Sequence, residues 1–167
     1  MTPRTPVVRQ ISWVAVIPQL IAISIMIVIA TWLSPVNGVL YGAAVYLLYS
    51  FGSRQLITRD HRAGIALVKE HRFGEAIPRF QKSLEFLDRN SWIDRFRSIV
   101  LMSPSAMSYR EMAIANLAFA YSQIGRGGEA RAQYEECLRR FPDSGLAMAA
   151  LRMMDAAAAA DNVQPVA

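Results

Sequence analysis

Residues 11–33 read ISWVAVIPQLIAISIMIVIATWL, and this uncharged, mostly apolar stretch decides how the rest of the chain is arranged. As a helix it extends about 34 Å, which is enough to cross the hydrocarbon core of a bilayer. Trp13 and Trp32 lie near its two ends, about 28 Å apart, which matches the two interfacial belts that tryptophan favours. The stretch is longer than the apolar region of a secretory signal and ends at no clear small-x-small cleavage site, so we predict a membrane-spanning helix.

A second apolar segment, residues 36–53, follows after a short uncharged turn. It is near the lower length limit for a span, so we expect Arg54 to complete it with a side chain that reaches the interface, and Tyr49 to anchor it there. Gly38 and Gly42 form a GxxxG pattern, which permits close approach of helices in lipid. The two segments predict a transmembrane helical hairpin, whose glycine face packs against the first helix or, alternatively, against another membrane subunit.

Charge is distributed very unevenly along the chain. No Asp, Glu, Lys or Arg occurs between Ile11 and Phe51, whereas all 13 acidic residues and 16 of the 18 basic residues follow Ser53. Arginines flank the apolar region on both sides and the turn inside it is uncharged, so the positive-inside rule places both termini in the cytoplasm. We therefore expect an integral protein of a bacterial inner membrane that contacts lipid. Residues 73–167 carry equal numbers of the two charges, so nucleic-acid binding is not expected.

The remainder of the chain is helical in pattern and repeats itself. The stretch GIALVKEHRFGEAIPRFQKSLEF, which begins at Gly64, aligns with AFAYSQIGRGGEARAQYEECLRRFP, which begins at Ala118, at a constant offset of 54 residues. Five pairs carry the alignment: Glu75 with Glu129, Ala76 with Ala130, Phe80 with Tyr134, Ser83 with Cys137, and Leu84 with Leu138. Small residues at Gly64 and Ala118 would let paired helices cross closely.

These residues resemble the tetratricopeptide repeat (TPR) family, whose unit of about 34 residues forms two antiparallel helices. The second copy is the better match, through Asn116, Leu117, Ala118, Tyr121, Gly125, Glu129, Ala130, Tyr134, Cys137, Leu138 and Pro142. The first copy matches through Gly64, Leu67, Phe73, Glu75, Ala76, Phe80, Ser83 and Leu84 but lacks the terminating proline. The resemblance implies an all-α fold in which the hairpin is followed by a short TPR-like domain.

The predicted domain boundaries follow from these patterns. We expect a cytoplasmic tail at 1–10, the hairpin at 11–53 with spans 11–33 and 36–53, a TPR-like domain at 54–155 with repeats near 57–90 and 111–144, an insertion at 91–108, a capping helix at 145–155 and a flexible tail at 156–167.

The insertion is the main departure from a regular repeat array. It contains Trp92, Ile93, Phe96, Ile99 and Val100, which are spaced like one face of a helix over residues 91–102. The preferred interpretation is a core-packing helix that fills the gap between the repeats. The alternative is an amphipathic helix that lies on the membrane surface, which the Trp, Phe and Arg content favours.

The sequence contains no recognisable catalytic pattern, so we expect no enzymatic activity, no cofactor and no metal site. His61 and His71 are three helical turns apart and cannot share a metal, so both are expected at the surface or an interface. Cys137 is the single cysteine, which excludes an intrachain disulfide, and we expect a buried free thiol.

The TPR resemblance implies a concave surface that is lined by the first helix of each pair and holds a peptide or helix of a protein partner. The candidate residues of this groove are Arg62, Ile65, Lys69, Asn116, Phe119, Ser122 and Gln123. We therefore expect a membrane-anchored scaffold or adaptor at the cytoplasmic face. The alternative is an accessory or assembly subunit of a larger membrane complex, docked through its hairpin. The sequence leaves the partner and the oligomeric state open.

Overall fold

A computed structural model of the chain describes residues 15–161, and within them the all-α prediction is confirmed: nine helices form and no strand does. The helices are α1 (Val16–Leu33), α2 (Gly38–Ile57), α3 (Arg59–Lys69), α4 (Phe73–Arg89), α5 (Ser91–Arg95), α6 (Arg97–Val100), α7 (Tyr109–Gln123), α8 (Gly127–Arg140) and α9 (Gly145–Asp161). The described residues form two compact units. We call residues 15–59 and 86–108 the anchor unit and residues 60–85 and 109–161 the repeat unit, after the roles that the sequence predicts for them.

In the anchor unit, α1 and α2 run back along each other with their backbones in close contact. A Cβ added to Gly38 would lie 2.1 Å from the Cα of Thr31, and one added to Gly42 would lie 2.6 Å from the Cα of Ile27. Residue numbers rise on one helix as they fall on the other, so the pair is antiparallel. Within the described residues, α1 is the one helix that is long and apolar enough to cross a membrane, and none of its residues is buried.

The insertion also belongs to the anchor unit, which differs from the preferred expectation that it fills the gap between the repeats. Instead of one helix over 91–102, it forms two short helices with a break at Phe96, whose φ of −103° and ψ of 27° leave the helical region. The guanidinium of Arg97 then donates hydrogen bonds to the carbonyls of Ser105 and Ala106. These bonds fix the loop that follows α6, and the predicted helix does not continue to residue 102.

The repeat unit contains two helix–turn–helix pairs, α3–α4 and α7–α8, whose turns make equivalent contacts at the predicted offset of 54. The amide of Arg72 donates to the carbonyl of Leu67 (2.9 Å), and the amide of Arg126 donates to that of Tyr121 (3.0 Å). These are the bonds that close a helix through a left-handed residue. That residue is His71 in the first turn, with a φ of 59°, and Gly125 in the second, with a φ of 76°.

The second helix of each pair begins with an equivalent ion pair. Arg72 Nε donates to Glu75 Oε1 at 2.8 Å, and Arg126 Nε donates to Glu129 Oε1 at 2.7 Å. Each glutamate lies in the first turn of its helix, where the helix dipole favours a negative charge. Both copies therefore use the same residues to start the helix after the turn.

The core of the repeat unit lies between these pairs. The fully buried Phe80 of α4 packs against Gly64 of α3, where an added Cβ would come within 2.7 Å of the phenyl ring. Ala118 and Tyr134 are the equivalents in the second copy and share one buried cluster. Cys137 is buried in that cluster as predicted, and burial raises the pKa of its thiol.

Helix α9 covers the second pair, since Ala147, Ala150, Leu151 and Met154 pack on the buried clusters. It continues to Asp161, whereas the sequence predicted a capping helix that ends at residue 155 and a flexible tail from residue 156. The run of alanines at 156–160 explains the extension, because alanine has the highest intrinsic helix propensity. The predicted tails at 1–10 and 162–167 lie outside the described residues.

Candidate protein-binding surface

The predicted groove residues on α3 separate into exposed cations and a core residue. Arg62 and Lys69 are exposed, whereas Ile65 is half-buried and packs against the cluster that contains Phe80. Arg62 and Lys69 are seven residues apart, or two helical turns, and therefore lie on one side of α3. The outer side of this helix thus presents two positive charges, whereas Ile65 contributes to the core and not to the predicted groove.

The predicted groove residues on α7 are mostly accessible. Phe119 is 38% exposed and Gln123 is exposed, while Asn116 and Ser122 are half-buried. The hydroxyl of Ser122 donates to the carbonyl of Phe119 at 2.7 Å, which is a bond within the helix. The surface that α7 offers is therefore built around the ring of Phe119, with amides on either side.

An aromatic contact joins α7 to the first helix pair. The ring of Phe73, the first residue of α4, meets that of Phe119 edge to face with centroids 5.9 Å apart, and His71 meets Phe73 in the same way at 5.8 Å. Neither His71 nor Phe73 is among the groove residues predicted from the sequence. The signal was present, because their equivalents at an offset of 54 are Gly125 and Gly127, which marks these aromatics as specific to the first copy.

The two cations on α3 differ from most basic residues of the repeat unit. Ion pairs to carboxylates involve Arg72, Arg79, Lys82, Arg126, Arg131, Arg139 and Arg140. Arg62 and Lys69 make no ion pair with any residue between 15 and 161. Their charges are therefore available to a ligand without breaking an internal contact.

An open cavity of the repeat unit lies on other helices. It has a volume of about 590 Å³ and is lined by Gln81, Leu84 and Glu85 of α4, Leu117 of α7, and Ala132, Gln133, Glu136 and Arg140 of α8. These residues come mainly from the second helix of each pair, so the cavity is not the predicted groove. Glu136 already pairs with Arg139 and Arg140, which neutralises charge at its rim.

His61 is buried inside the repeat unit, so the expectation that it lies at the surface or an interface is wrong. The residue is 6% exposed, and its ring contacts those of Phe80 and Tyr109 with centroid distances of 5.7 and 5.9 Å. Nδ1 has no hydrogen-bond partner among the described residues, and burial lowers the pKa of the imidazole to about 4. His61 therefore acts as a neutral aromatic core residue near neutral pH.

The predicted membrane residues belong to the anchor unit. Gly38 and Gly42 are buried against α1, and Trp32 is 85% exposed at the end of that helix. Tyr49 and Arg54 both have partners in the insertion, which the sequence did not indicate. Trp13 lies outside the described residues.

Three comparisons with known proteins, by family models, by curated sequences and by solved structures, find no match to this chain.

Proposed function

We propose that this chain is a membrane-anchored interaction protein, in which a transmembrane hairpin of α1 and α2 tethers a TPR-like unit at the cytoplasmic face of a bacterial inner membrane. The unit binds a segment of a protein partner through the outer side of α3 and α7. Tethering confines this binding to the membrane and raises the effective concentration of partners there.

The unburied apolar surface of α1 is the observation that carries the anchor. A core helix of a soluble protein would be covered by the rest of the chain, whereas Leu20 and Val28 of α1 remain 59% and 67% exposed. Each apolar side chain left in water costs on the order of 1.5–3 kcal/mol, which a bilayer removes. If α1 were a cleaved signal sequence, α2 would lose the helix against which Gly38 and Gly42 pack. The close backbone contact at these two glycines therefore favours a retained helix.

The TPR-like assignment is supported by the two equivalent helix–turn–helix pairs. Each pair uses the same turn and the same Arg–Glu contact, and each buries a small residue of its first helix in the core with an aromatic residue of its second helix. A stack of such pairs exposes a surface from its first helices, here α3 and α7.

The chemistry of that surface indicates the kind of partner. Arg62 and Lys69 supply two uncompensated positive charges, and Phe119 supplies an exposed ring. A matching segment carries carboxylates near an apolar side chain, since charge-assisted hydrogen bonds and aromatic contacts then form together. We therefore propose an acidic, partly apolar segment of a protein as the ligand.

Affinity capture with the full-length chain in mild detergent tests this proposal. The variant Arg62→Glu/Lys69→Glu reverses both charges without breaking an internal ion pair, and we expect it to lose the captured partner. Arg152→Glu is the matched control, because Arg152 is an exposed arginine on α9 that makes no ion pair within residues 15–161. Capture that survives both variants would indicate docking through the anchor unit, as expected for an accessory subunit of a membrane complex.

The anchor is tested separately by fractionation and by reporters fused to the two ends. We expect the chain to stay in the membrane fraction after alkaline carbonate washing and both reporters to be cytoplasmic. A chain that is monodisperse in buffer without detergent would contradict the anchor, and reporters on opposite sides of the membrane would contradict the hairpin.

A further inference from the structure

Two side chains of α2 bind backbone carbonyls of the insertion. The guanidinium of Arg54 donates from Nε to the carbonyl of Leu101 at 2.9 Å and also donates to the carbonyl of Met102. The hydroxyl of Tyr49 donates to the carbonyl of Val100 at 3.3 Å. Residues 100–102 are therefore held beside the last turns of α2, and α6 also packs against α1.

These contacts set the depth of the insertion relative to α2. Arg54 is 16 residues beyond Gly38, or about 24 Å along the helix axis, and the hydrocarbon core is about 30 Å thick. If α2 starts at the outer boundary of the hydrocarbon, Arg54 lies near its cytoplasmic boundary. The carbonyls of Leu101 and Met102 then lie at the same level, and they give a cation in that position the partners it requires.

The insertion also meets the condition for irregular backbone at this depth. Residues 101–103 leave the helix, yet Leu101, Met102 and Ser103 are at most 6% exposed. Non-helical backbone is tolerated near hydrocarbon where protein covers it.

The outer side of the insertion is apolar and uncovered. Trp92, Phe96 and Ile99 are 55%, 52% and 49% exposed, at intervals of four and three residues. Near the level that Arg54 sets, α2 itself exposes Phe51 and Leu56, so the two apolar surfaces occur at one end of the helix pair. Tryptophan and phenylalanine at such a level favour the zone between headgroups and acyl chains.

The charge of the anchor unit matches an anionic leaflet. Residues 15–59 and 86–108 contain five arginines and two aspartates, which gives a net charge of +3. One of these arginines, Arg95, lies over the ring of Phe96 at 6.0 Å, which places a cation beside an exposed aromatic side chain. Basic residues at the cytoplasmic surface are attracted to acidic lipids.

We infer that the α5–α6 segment, residues 91–100, is a third membrane contact: a wedge in the cytoplasmic interface of the bilayer, with Trp92, Phe96 and Ile99 among the lipid headgroups and upper acyl chains. The inference rests on the proposed membrane anchor of α1 and α2. It gives the inserted residues a role in binding a lipid surface, separate from the partner surface on α3 and α7.

Tryptophan fluorescence tests the wedge in the full-length chain, reconstituted in vesicles that contain anionic lipid and lipids brominated at a chosen acyl position. The chain has three tryptophans. The variant Trp13→Phe/Trp32→Phe leaves Trp92 as the only emitter, and the variant Trp13→Phe/Trp92→Phe leaves Trp32. We expect bromines near the headgroup to quench most of the Trp92 emission, and bromines deep in the acyl chain to quench less of it.

Trp32 separates failure of the wedge from failure of the anchor. If Trp32 is quenched while Trp92 emits as it does without bromine, the anchor stands and the wedge is overturned. That result is expected if a protein, and not lipid, covers Trp92, Phe96 and Ile99. If neither tryptophan is quenched, the proposed anchor is overturned and the wedge with it.

Arg54→Leu supplies a second test, whose hydrogen-exchange readout uses a chain that keeps all three tryptophans. Loss of the bonds to Leu101 and Met102 releases the insertion, so we expect faster amide hydrogen exchange across residues 97–103 and weaker quenching of Trp92, with Trp32 unchanged. Arg152→Leu removes an arginine from α9 and is expected to change neither. Unchanged hydrogen exchange and unchanged quenching in Arg54→Leu would show that the bonds from Arg54 to Leu101 and Met102 do not hold the insertion at the membrane.

Discussion

His71 and Gly125 occupy the same position in the two turns of the repeat unit, and both have a left-handed backbone, with φ angles of 59° and 76°. Glycine adopts this conformation without strain, whereas a residue with a Cβ does so at a cost of about 1–2 kcal/mol. The first turn therefore carries local strain that the second turn avoids.

This difference predicts opposite effects of substitution in the two turns. We expect His71→Gly to stabilise the repeat unit by about 0.5–1 kcal/mol, since relief of strain exceeds the entropy that glycine adds to the unfolded chain. We expect Gly125→Ala to destabilise it by about 1 kcal/mol, although nothing lies within 4 Å of the added Cβ. Urea unfolding of the full chain in detergent, followed by circular dichroism, measures both. A loss of stability in His71→Gly would contradict this account of the turn.

Gly64 makes a prediction about core packing. A Cβ at this position would come within 2.7 Å of the ring of Phe80, which is fully buried and cannot move into solvent. We expect Gly64→Ala to destabilise the repeat unit by about 1–3 kcal/mol, as overpacked cores do. Gly74→Ala is the matched control, because Gly74 is also helical and has nothing within 4 Å of its added Cβ. The same urea unfolding measures both. Equal free energies of unfolding for the two variants would show that the ring of Phe80 moves away from the added Cβ without destabilising the repeat unit.

The repeat was accessible to sequence analysis because it depends on side-chain types at fixed spacing. Gly64 and Ala118 must be small and Phe80 and Tyr134 large for the helices to pack, and the offset of 54 follows from comparing those positions. The helical class followed from periodicity in the same way.

The position of the insertion could not be predicted from the sequence, because contacts to backbone atoms determine it. Arg54 binds the carbonyls of Leu101 and Met102, and every residue type has a carbonyl, so the contact leaves no pattern in the sequence. The burial of His61 was missed for a related reason: its neighbours Phe80 and Tyr109 come from distant parts of the chain. A polar residue in a helix favours a surface interpretation until such neighbours are known.

Gly42 makes a prediction about the anchor unit. A Cβ there would lie 2.6 Å from the Cα of Ile27. Because a van der Waals contact needs about 3.5–4 Å, Gly42→Ala forces the backbones of α1 and α2 apart locally by about 1 Å. Spin labels at Ile21→Cys and Leu48→Cys, in a Cys137→Ser background, report the separation of the two helices because both positions are exposed. We expect a longer and broader distance distribution in Gly42→Ala.

Gly52→Ala is the control for this experiment, because nothing lies within 4 Å of its added Cβ although it is on the same helix. We expect its distance distribution to match that of the unsubstituted chain. Identical distance distributions for Gly42→Ala and Gly52→Ala would show that the packing of α1 against α2 does not require close backbone contact at Gly42.

The burial of His61 predicts how the stability of the repeat unit depends on pH. Its pKa is about 4 in the folded chain and 6.5 in the unfolded chain. Between these values the unfolded chain binds the additional proton, so the free energy of unfolding is highest above about pH 6.5 and falls as the pH decreases towards about 4. The full difference corresponds to about 3 kcal/mol. Urea unfolding at several pH values across this range measures the slope.

His61→Leu identifies the source of that slope. Leucine keeps an apolar side chain between Phe80 and Tyr109 but binds no proton, so we expect stability to change little between about pH 6.5 and about pH 5. The carboxylates of Glu75 and Glu129, whose pKa values are lowered mainly by hydrogen bonds from Arg72 and Arg126, lose their stabilising contribution only at lower pH and therefore remain as a separate acidic transition in the variant. An unchanged slope over the upper range in His61→Leu would assign the pH dependence to another group.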